Sequence, residues 1–396
     1  MHPAKDIEGT KSDRLAGKKI VLGITGSIAA VETVKLAREL IRHGATVIPV
    51  MTKAATSIIG VQSLHFATGN QPITEITGSV EHVMYCGARE ERAHLLLIAP
   101  ATGNTISKIA CGIDDTPVTT FATTAIGTGI PVLIVPAMHE TMYTHPLIQE
   151  NIAKLKKIGI HFIQPRIEEH KAKFPEIEEI VASVIRLLGK RDYVGKKVLV
   201  IGGASYEPID EMRIITNLSS GRMSVAIAKE AFLRGADVVF LAGRIEVPLP
   251  GYITTMRFTT VENLVQKLER LDYDYIFVPA ALSDFCVEKA KGKLASAKEH
   301  RITLRPLPKV IRTLRERCRG VIVGFKAEPD CEENKLITRA ITFLKNTNLD
   351  FICANTLRNA GSEAGEVFLI DREGKATKFT GTKEKIAEKI FDMVKR

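Results

Sequence analysis

Three common signals are missing from this chain of 396 residues. Its six cysteines include no C-x-x-C pair and have no histidine at zinc spacing, which argues against a disulfide framework and against a cysteine metal site. No apolar run is long enough to cross a bilayer, and the sequence shows no charged-then-apolar signal peptide. We therefore expect a cytoplasmic protein without a membrane partner, whose N-terminal segment 1–16 is polar and frayed.

Clusters of one charge are also missing, although the net charge is +10. Lys and Arg are spread along the chain and mixed with Glu, whereas nucleic-acid-binding proteins gather them in patches, often with aromatic residues. An excess of positive charge equally suits a protein that handles phosphorylated small molecules. We favour this second interpretation and expect no nucleic-acid partner.

One pattern occurs twice in the chain. Residues 17–27 read GKKIVLGITGS and residues 195–205 read GKKVLVIGGAS: basic residues, a β-branched run, then glycine and serine. Such a strand and loop before a helix directs backbone N–H groups at a phosphate. Neither copy has the G-x-G-x-x-G spacing, which disfavours a nicotinamide-linked oxidoreductase. Two copies indicate two domains, each with a phosphate-bearing ligand.

Strand-like and helical segments alternate in both halves, which predicts parallel sheets with helices on both faces. The expected fold is α/β, with two doubly wound, three-layer domains, 1–190 and 191–396, separated by the polar segment 189–194. The predicted strands are 19–22, 46–51, 94–99, 131–135, 197–201, 237–242, 275–278, 320–323 and 351–353, followed by a hairpin of 367–370 and 376–379. The predicted helices are 31–43, 176–188, 225–234, 264–270 and 382–395.

Polar loops follow two predicted strands of the first half. They read Pro-Ala-Thr-Gly-Asn-Thr (100–105) and Pro-Ala-Met-His (136–139), at the strand ends where α/β proteins form sites. The Thr25-Gly26-Ser27 loop could hold a phosphate, or Ser27 could simply cap a helix. Together with His82, these segments resemble the homo-oligomeric flavin-containing cysteine decarboxylases.

That resemblance implies a flavodoxin-like domain that binds flavin mononucleotide (FMN). It implies His82 as the catalytic base and His139 as a contact of the substrate carboxylate, with Met142 and Lys173 also at the substrate. His139 stands where the family has asparagine, and 171–174 (Lys-Ala-Lys-Phe) replace the family's Ala-Cys-Gly flap, so the proton donor is unassigned. The implied FMN contacts are Thr25, Gly26, Ser27, Thr52, Thr102, Asn104 and Thr105.

The most specific stretch of the second half runs from 202 to 223. Ser219-Ser220-Gly221 precedes a helical segment and can present successive N–H groups to a triphosphate. Arg213 and Asn217 are close in sequence, at positions i and i+4, so both could reach one developing anion. With Glu-Pro-Ile-Asp at 207–210, this stretch resembles phosphopantothenate–cysteine ligase.

The ligase resemblance implies a Rossmann-like domain with Arg213, Asn217 and Lys293 as catalytic residues. Other lysines crowd Lys293, and a charge run by itself indicates a solvated face, so the choice of Lys293 rests on the resemblance. The implied nucleotide contacts are Gly203, Ser219, Ser220, Gly221, Ala280, Asp284, Lys293, Pro308, Lys309, Val310, Ile311, Phe325 and Lys345.

Both resemblances, in this order on one chain, are those of the bifunctional phosphopantothenoylcysteine synthetase/decarboxylase family of coenzyme A biosynthesis. The implied chemistry starts in the second half, where 4′-phosphopantothenate attacks the α-phosphate of CTP, with Mg²⁺, and cysteine then displaces CMP. The first half would decarboxylate phosphopantothenoylcysteine to 4′-phosphopantetheine with FMN. The residues themselves do not decide between CTP and ATP, and they identify no metal ligands.

Other function classes stay open. An active ligase fused to a flavin-binding regulatory module is kept open by His139 and by the missing flap cysteine. A flavodoxin-like electron carrier is disfavoured, because the ligase half does not need an electron carrier. The family further implies a homo-oligomer, trimeric through the first domain and dimeric through the second, and hence a larger closed assembly such as a dodecamer.

Overall fold

The protein is described by a computed structural model over residues 2–268, 271–329, 331–356 and 362–395. The chain forms two compact units, Met1–Arg191 and Asp192–Arg396. Across these described ranges, no helix combines the length and the apolar content that a bilayer crossing requires.

The first unit alternates strands and helices. Its strands are β1 (Lys19–Ile24), β2 (Thr46–Met51), β3 (Leu95–Ala101), β4 (Val132–Pro136), β5 (Met138–His139), β6 (His161–Phe162), β7 (Arg166–Glu168) and β8 (Lys171–Lys173). Its helices are α1 (Thr33–Arg42), α2 (Lys53–Thr56), α3 (Val61–Thr68), α4 (Glu81–Cys86), α5 (Gly103–Cys111), α6 (Pro117–Gly127), α7 (Glu140–Tyr143), α8 (Pro146–Lys157) and α9 (Ile177–Leu188), with 3-10 helices at Lys5–Ile7 and Ile28–Glu32.

The main sheet of the first unit is parallel, with the strand order β2-β1-β3-β4-β6. This is the 2-1-3-4-5 order of flavodoxin-like folds, in which a ligand binds at the carboxyl ends of the strands where the order reverses, between β1 and β3. Strands β1 and β3 are almost wholly buried apolar runs, as central parallel strands covered on both faces must be. The fold prediction for this half is confirmed.

Two expectations for the first unit are wrong. Residues 100–105 are not a loop, because β3 continues to Ala101, Thr102 caps a helix and α5 begins at Gly103. The N-terminal segment is not frayed over 2–16, because Leu15 is fully buried and N–H groups of this segment bond the terminal carbonyls of α1. A helix end needs such partners, and the polar composition of the segment gave no sign of them.

The second unit begins its strands with β9 (Lys197–Ala204), β10 (Tyr206–Pro208), β11 (Ile214–Thr216), β12 (Asp237–Ala242), β13 (Thr254–Arg257), β14 (Tyr275–Val278) and β15 (Ala280–Ala281). Its later strands are β16 (Phe285–Cys286), β17 (Arg305–Pro306), β18 (Val321–Glu328), β19 (Phe351–Thr356), β20 (Ala364–Asp371) and β21 (Ala376–Thr382). Its helices are α10 (Arg222–Leu233), α11 (Val261–Lys267), α12 (Val310–Arg317), α13 (Glu333–Thr347) and α14 (Lys383–Val394). The predicted helix 264–270 corresponds to α11, and 269–270 lie outside the described residues.

Parallel strands of the second unit follow the order β13-β12-β9-β14-β18-β19, and the antiparallel hairpin β20-β21 extends the sheet. Renumbered along the chain this is the Rossmann order 3-2-1-4-5-6, with its reversal between β9 and β14. Val198 and Val200 pack in one core cluster with α10 and α14, whereas Leu199 and Ile201 pack in another with α11, α12 and α13. Because successive side chains of a strand point to opposite faces, helices cover both faces and the predicted three layers are confirmed.

Candidate active sites

Three helix N-termini meet at the carboxyl edge of the first sheet. The 3-10 helix Ile28–Glu32, α2 and α5 follow β1, β2 and β3, which are neighbours in the sheet. Ser27, Thr52 and Thr102 are their N-caps, and each hydroxyl accepts a hydrogen bond from the first turn of its own helix. The remaining N–H groups of these helix starts suit a phosphate. Ser27 is therefore a helix cap, and its place among these helix starts keeps phosphate binding there a prediction.

Thr25 joins β1 to β3 at the same edge. Its buried hydroxyl donates to the Pro100 carbonyl oxygen (2.9 Å) and accepts from the Thr102 N–H (3.0 Å). At Gly26, an added Cβ would lie 2.5 Å from the Cβ of Ala54 in α2. The loop can therefore approach α2 only with glycine at this position.

Asn104 and Thr105 occupy the first turn of α5. Asn104 is exposed, whereas Thr105 is buried with its hydroxyl 3.1 Å from that of Thr102. Asn104 is therefore the residue of this pair whose side chain a ligand can reach. The seven predicted FMN contacts lie in or next to the three helix starts at the strand reversal, and none of them is acidic. This set of donors fits a phosphorylated flavin.

The flap segment lies against the Pro-Ala-Met-His segment. Strand β5 pairs with β8 in the antiparallel sheet β5-β8-β7, which sets His139 opposite Lys171. The turn between β7 and β8 is fastened by Glu140, whose N–H donates to the His170 carbonyl (3.1 Å) and whose carboxylate lies 3.4 Å from the His170 ring. His139 and Met142 are exposed beside this sheet, so the structure brings the predicted substrate contacts together.

Lys173 ends the flap strand β8 and is held by two acidic neighbours. Its ammonium lies 2.9 Å from Glu169 and 3.2 Å from Glu168. Hydrogen bonds to Glu169 and Glu168 raise the pKa of Lys173 above its ordinary value. A lysine that keeps its proton is better suited to hold a substrate carboxylate than to donate a proton at neutral pH.

His82 is the second residue of α4, and its Nδ1 is buried with no hydrogen-bond partner among the described residues. Helix α4 is anchored on α6, where the Tyr85 ring stacks on Phe121 at 6.5 Å. A buried ring nitrogen without a partner is unusual in a native protein and is consistent with a group that meets a ligand. Within the described ranges, no hydrogen bond or ion pair connects His82 to the helix N-termini or to the flap.

The second site forms at the strand reversal between β9 and β14. Ala280 pairs with Gly203 through the short strand β15, so two predicted nucleotide contacts lie side by side. Ser224, fully buried in α10, accepts from the Gly203 N–H (3.3 Å) and donates to the Pro279 carbonyl (3.2 Å). Sequence reasoning missed Ser224, although a serine in the first turn after a helix-starting glycine was a usable signal.

Gly221 opens α10 with a φ of +75°, and an added Cβ would lie 2.8 Å from Ile245. Ser219 accepts from the Gly221 N–H (3.3 Å), and both Ser219 and Ser220 are half-buried. The Ser-Ser-Gly segment is therefore a tight turn into a helix of 12 residues, the geometry predicted for phosphate binding.

Arg213 and Asn217 flank β11 and engage different partners. The Arg213 guanidinium pairs with Asp210 and donates to the Leu294 carbonyl (3.3 Å). Asn217 instead donates to the Leu282 carbonyl (2.9 Å). The structure thus brings Arg213 next to the segment that carries Lys293, and it brings Asn217 next to Ala280 and its neighbours.

Asp284 and Lys309 pair with each other through their charged groups, and both side chains are more than half exposed. Pro308 and Lys309 directly precede α12, for which Lys309 is the N-cap. Val310 and Ile311 pack in the hydrophobic core, so their side chains are structural. Only their backbone N–H groups, in the first turn of α12, can meet a nucleotide.

Phe325 is half-buried in β18 and continues the site edge, but Lys345 does not lie there. Lys345 is exposed in the last turn of α13, which leads into the amino-terminal end of β19. Ligands of parallel sheets bind at the carboxyl ends, and β19 spans roughly 20 Å. The position of Lys345 at the end of α13 therefore does not favour its assignment to the same nucleotide site within one chain, and that assignment stays a prediction.

Metal ligation was left open by the sequence. The described residues contain no group of three or more His, Cys, Asp or Glu side chains that could hold a metal ion. The described cysteines are free thiols, and burial raises the pKa of Cys86 to about 12, which keeps that sulfur protonated.

Family models match both halves of the chain. The model described as "Flavoprotein" matches residues 8–189, and the model described as "DNA/pantothenate metabolism flavoprotein C-terminal domain" matches residues 193–396. The sheet orders and these matches define the class: a flavoprotein domain followed by a pantothenate-metabolism domain. The cofactor of the first half is a flavin.

Relatives extend over the whole chain. The chain is 49% identical to coenzyme A biosynthesis bifunctional protein CoaBC of Thermococcus kodakarensis, covering 100% of this chain and 99% of that protein. The corresponding protein of Methanocaldococcus jannaschii is 42% identical, with 100% and 98% covered. A crystal structure of the DNA/pantothenate metabolism flavoprotein from Streptococcus pneumoniae is 21% identical with a TM-score of 0.47, covering 50% of this chain and 98% of that one. This chain belongs to the family of bifunctional coenzyme A biosynthesis proteins.

Proposed function

We propose that residues 191–396 join 4′-phosphopantothenate to cysteine and that residues 1–190 then decarboxylate the product to 4′-phosphopantetheine. The observation that carries the proposal is the pair of helix-start edges, each at the strand reversal of its own sheet. Each edge offers backbone N–H groups to a phosphate, and the two reactions use a nucleotide and a phosphorylated flavin. The names of the two archaeal relatives support the same pathway.

In the ligase half, the substrate carboxylate attacks the α-phosphate of CTP, forming an acyl-cytidylate and releasing pyrophosphate. The cysteine amine then displaces CMP and forms the amide. Gly203, Gly221 and the start of α12 would hold the triphosphate, while Arg213 and Lys293 stabilise the charge that develops during transfer. Mg²⁺ would be held mainly by the CTP phosphates, in keeping with its preference for substrate oxygens and water.

In the decarboxylase half, the Thr25-Gly26-Ser27 loop, Thr52 and the start of α5 would bind FMN. When bound, FMN would accept two electrons from the cysteine end of the substrate and return them after carbon dioxide has left. His82 would take the substrate's proton. His139 and Lys173 would hold the carboxylate beside the flap, and Met142 would line the same substrate.

The test is to incubate the pure protein with 4′-phosphopantothenate, cysteine, CTP and Mg²⁺ and to follow the products by mass spectrometry. The proposal expects 4′-phosphopantetheine from wild type, and accumulation of phosphopantothenoylcysteine from His82→Asn. Replacing CTP by ATP in the same assay decides the nucleotide. If wild type stops at phosphopantothenoylcysteine, the first half is a flavin-binding regulatory module. Absence of any nucleotide-dependent product would overturn the proposal.

We also propose that the chain assembles as a trimer through the first domain and as a dimer through the second, giving a closed assembly such as a dodecamer. The support is analogy with the family and the closure that such symmetry allows. Light scattering on the purified chain tests it, since a monomeric mass would contradict it. Cytoplasmic location stays a prediction of the sequence, to be tested by cell fractionation.

A further inference from the structure

Arg213 and Lys293, which the proposed ligase mechanism uses together, are far apart in sequence. Arg213 directly precedes β11, in the turn of the hairpin β10-β11. Lys293 lies in residues 287–304, a segment without regular structure that we call the excursion. It connects β16 to β17, which pair in a separate two-stranded sheet. Some contact must hold these two exposed segments in register if both cations are to act on one substrate.

A single buried carboxylate makes that contact. The Asp210 side chain is fully inaccessible, and one of its oxygens accepts from the N–H groups of Met212 and Arg213, each at 2.7 Å. The other oxygen receives the Arg213 guanidinium and the Leu294 N–H (3.1 Å). Arg213 in turn donates to the Leu294 carbonyl (3.3 Å). Asp210 thus holds both Arg213 and the residue that follows Lys293.

The charge state of Asp210 suits this role. Burial would raise its pKa, but the N–H groups of Met212, Leu294 and Arg213 and the Arg213 guanidinium together hold the pKa below its ordinary value. A carboxylate that accepts several N–H bonds stays ionised at neutral pH. One further bond, from the Ala290 N–H to the Ile209 carbonyl (2.9 Å), fastens the excursion beside it.

We propose that Asp210 is a positioning residue of the ligase: it assembles the Arg213–Lys293 pair by fastening the 287–304 excursion to the β10-β11 hairpin. This inference rests on the proposed ligase function. Asp210 acts through Arg213 and Leu294, and it does not itself touch the substrate. Asp210→Asn replaces one of the two accepting oxygens by a donating amide NH2 group, so part of this network loses its acceptor and the excursion moves, and Lys293 with it.

The first experiment compares Asp210→Asn with Glu211→Gln in the full-length chain. Glu211 is the exposed neighbour, so this control removes the same charge from the same turn. CTP-dependent pyrophosphate release should fall about 100-fold in kcat for Asp210→Asn, since a misplacement near 1 Å can cost that much, and stay near wild type for Glu211→Gln. Asp210→Glu, which keeps the charge, should recover part of the loss. Equal rates for the two neutral variants would overturn the proposal.

Two further measurements separate positioning from general damage. Because Asp210 acts partly through Arg213, the losses from Asp210→Asn and Arg213→Gln should combine to less than their product in the double variant, and fully multiplied losses would contradict the proposal. Hydrogen exchange should speed up in 287–304 while β9 and α10 stay protected. Unchanged exchange in the excursion would also contradict it. The exchange readout needs no catalysis, so it decides this inference even if the proposed ligase function fails.

If Asp210→Asn does not fold, Leu294→Pro replaces it. This variant removes the N–H that Asp210 accepts from the excursion and leaves Asp210 and the hairpin intact. The same loss of kcat and the same faster exchange in 287–304 are expected. A Leu294→Pro enzyme with wild-type rate and wild-type exchange would overturn the proposal.

Discussion

The two predicted phosphate-binding edges, one in each unit, are held in place by different chemistry. At the first, neutral hydroxyls hold the strands and helix starts in place: Thr25 bridges β1 and β3, and Ser27, Thr52 and Thr102 cap helices. At the second, Asp210 pairs with Arg213, and Asp284 with Lys309. Three side chains predicted to contact the substrate or the nucleotide, Arg213, Asp284 and Lys309, are thus already in ion pairs within the unit.

The difference teaches how each site can respond to its ligand. Hydroxyl caps leave nearby N–H groups available, so the first edge is preformed for a resident cofactor. The exposed Asp284–Lys309 pair would have to share or exchange partners with a charged nucleotide, which would suit a substrate that binds and leaves. Five changes to the chain test this contrast.

The largest effect should come from a buried charge in the second unit. Arg234 is 1% exposed and binds Glu230 (2.8 Å), Asp192 (3.0 Å) and Asp392. Arg234→Met would remove this cation from the buried Glu230 and from the partly exposed Asp192 and Asp392, and we expect a loss of about 3 kcal/mol in the free energy of unfolding of this unit. Urea unfolding with hydrogen exchange in α10 and α14 measures it.

The matched control for that change is Arg244→Met. Arg244 is half-exposed and pairs with Glu246 at 3.6 Å, so its loss should cost about 0.5 kcal/mol or less. Similar losses of unfolding free energy for both variants would mean that the buried Arg234 cluster stabilises the second unit no more than a surface ion pair does.

A methyl group at Gly202 should have the next largest effect. The added Cβ would collide with the Ser224 side chain and lie 2.9 Å from the Phe240 ring, so overpacking should cost about 1 to 3 kcal/mol. Gly251→Ala is the control, because nothing lies within 4 Å of its added Cβ. Thermal unfolding of both variants checks the prediction, and an unshifted transition for Gly202→Ala would refute it.

Thr25→Val tests the hydroxyl bridge of the first edge. The variant keeps the shape of the side chain but loses the bonds to Pro100 and Thr102, which should cost about 1 to 3 kcal/mol and lower the flavin content. Thr10→Val removes only a local bond to the Ile7 carbonyl (2.9 Å) on the surface and should keep the flavin. Flavin absorbance per mole of purified protein is the measurement, and equal values would show that the bridge is dispensable.

Acidification should weaken the first unit through His43. Burial lowers the pKa of His43 below its ordinary value of 6.5, against the attraction of Glu39 and in concert with Lys11 and Arg14. Unfolded His43 therefore binds the proton more tightly, so the stability that the neutral ring contributes is complete above about pH 6.5 and is lost as the pH falls toward the lower folded pKa.

His43 also contacts the N-terminal segment, because its Nδ1 lies within hydrogen-bond distance of the Ser12 hydroxyl (2.6 Å). His43→Gln should flatten the pH dependence of unfolding of the first unit between about pH 7.5 and pH 5.5. His300→Gln, at an exposed site of the second unit, should leave that dependence as in wild type. A His43→Gln profile parallel to wild type would exclude His43 as the source.

The smallest effect is expected at Lys345. Because it lies at the opposite edge of the sheet from Gly203, Lys345→Gln should leave the KM for CTP unchanged, whereas Lys309→Gln should raise it. Steady-state pyrophosphate release measures both constants. A tenfold rise for Lys345→Gln, about 1.4 kcal/mol of binding, would mean that Lys345 reaches a nucleotide after all, as from a second copy of the chain.

The sequence by itself determined the architecture and predicted the sheet edges at which ligands should bind. Strands β2, β12 and β14 match their predicted bounds, because a buried parallel strand is a short apolar run that local composition reveals. The glycine and serine loops at 25–27 and 219–221 likewise announce helix starts, since those residue types suit caps and tight turns. Apolar strand runs and helix starts can be predicted because each depends on residues that are close together in the sequence.

Only the tertiary structure decided which of those residues share a site. In the structure, Asp210 accepts a hydrogen bond from the Leu294 N–H, and the Val310 and Ile311 side chains are buried. Lys345 lies at the end of α13, and the N-terminal segment is hydrogen-bonded to the end of α1. Each outcome depends on groups that are distant in the chain, and no local pattern encodes which distant carbonyl or charge will face a given side chain. Local propensity therefore gives the elements, whereas the pairing of buried polar groups is fixed only when the chain has closed on itself.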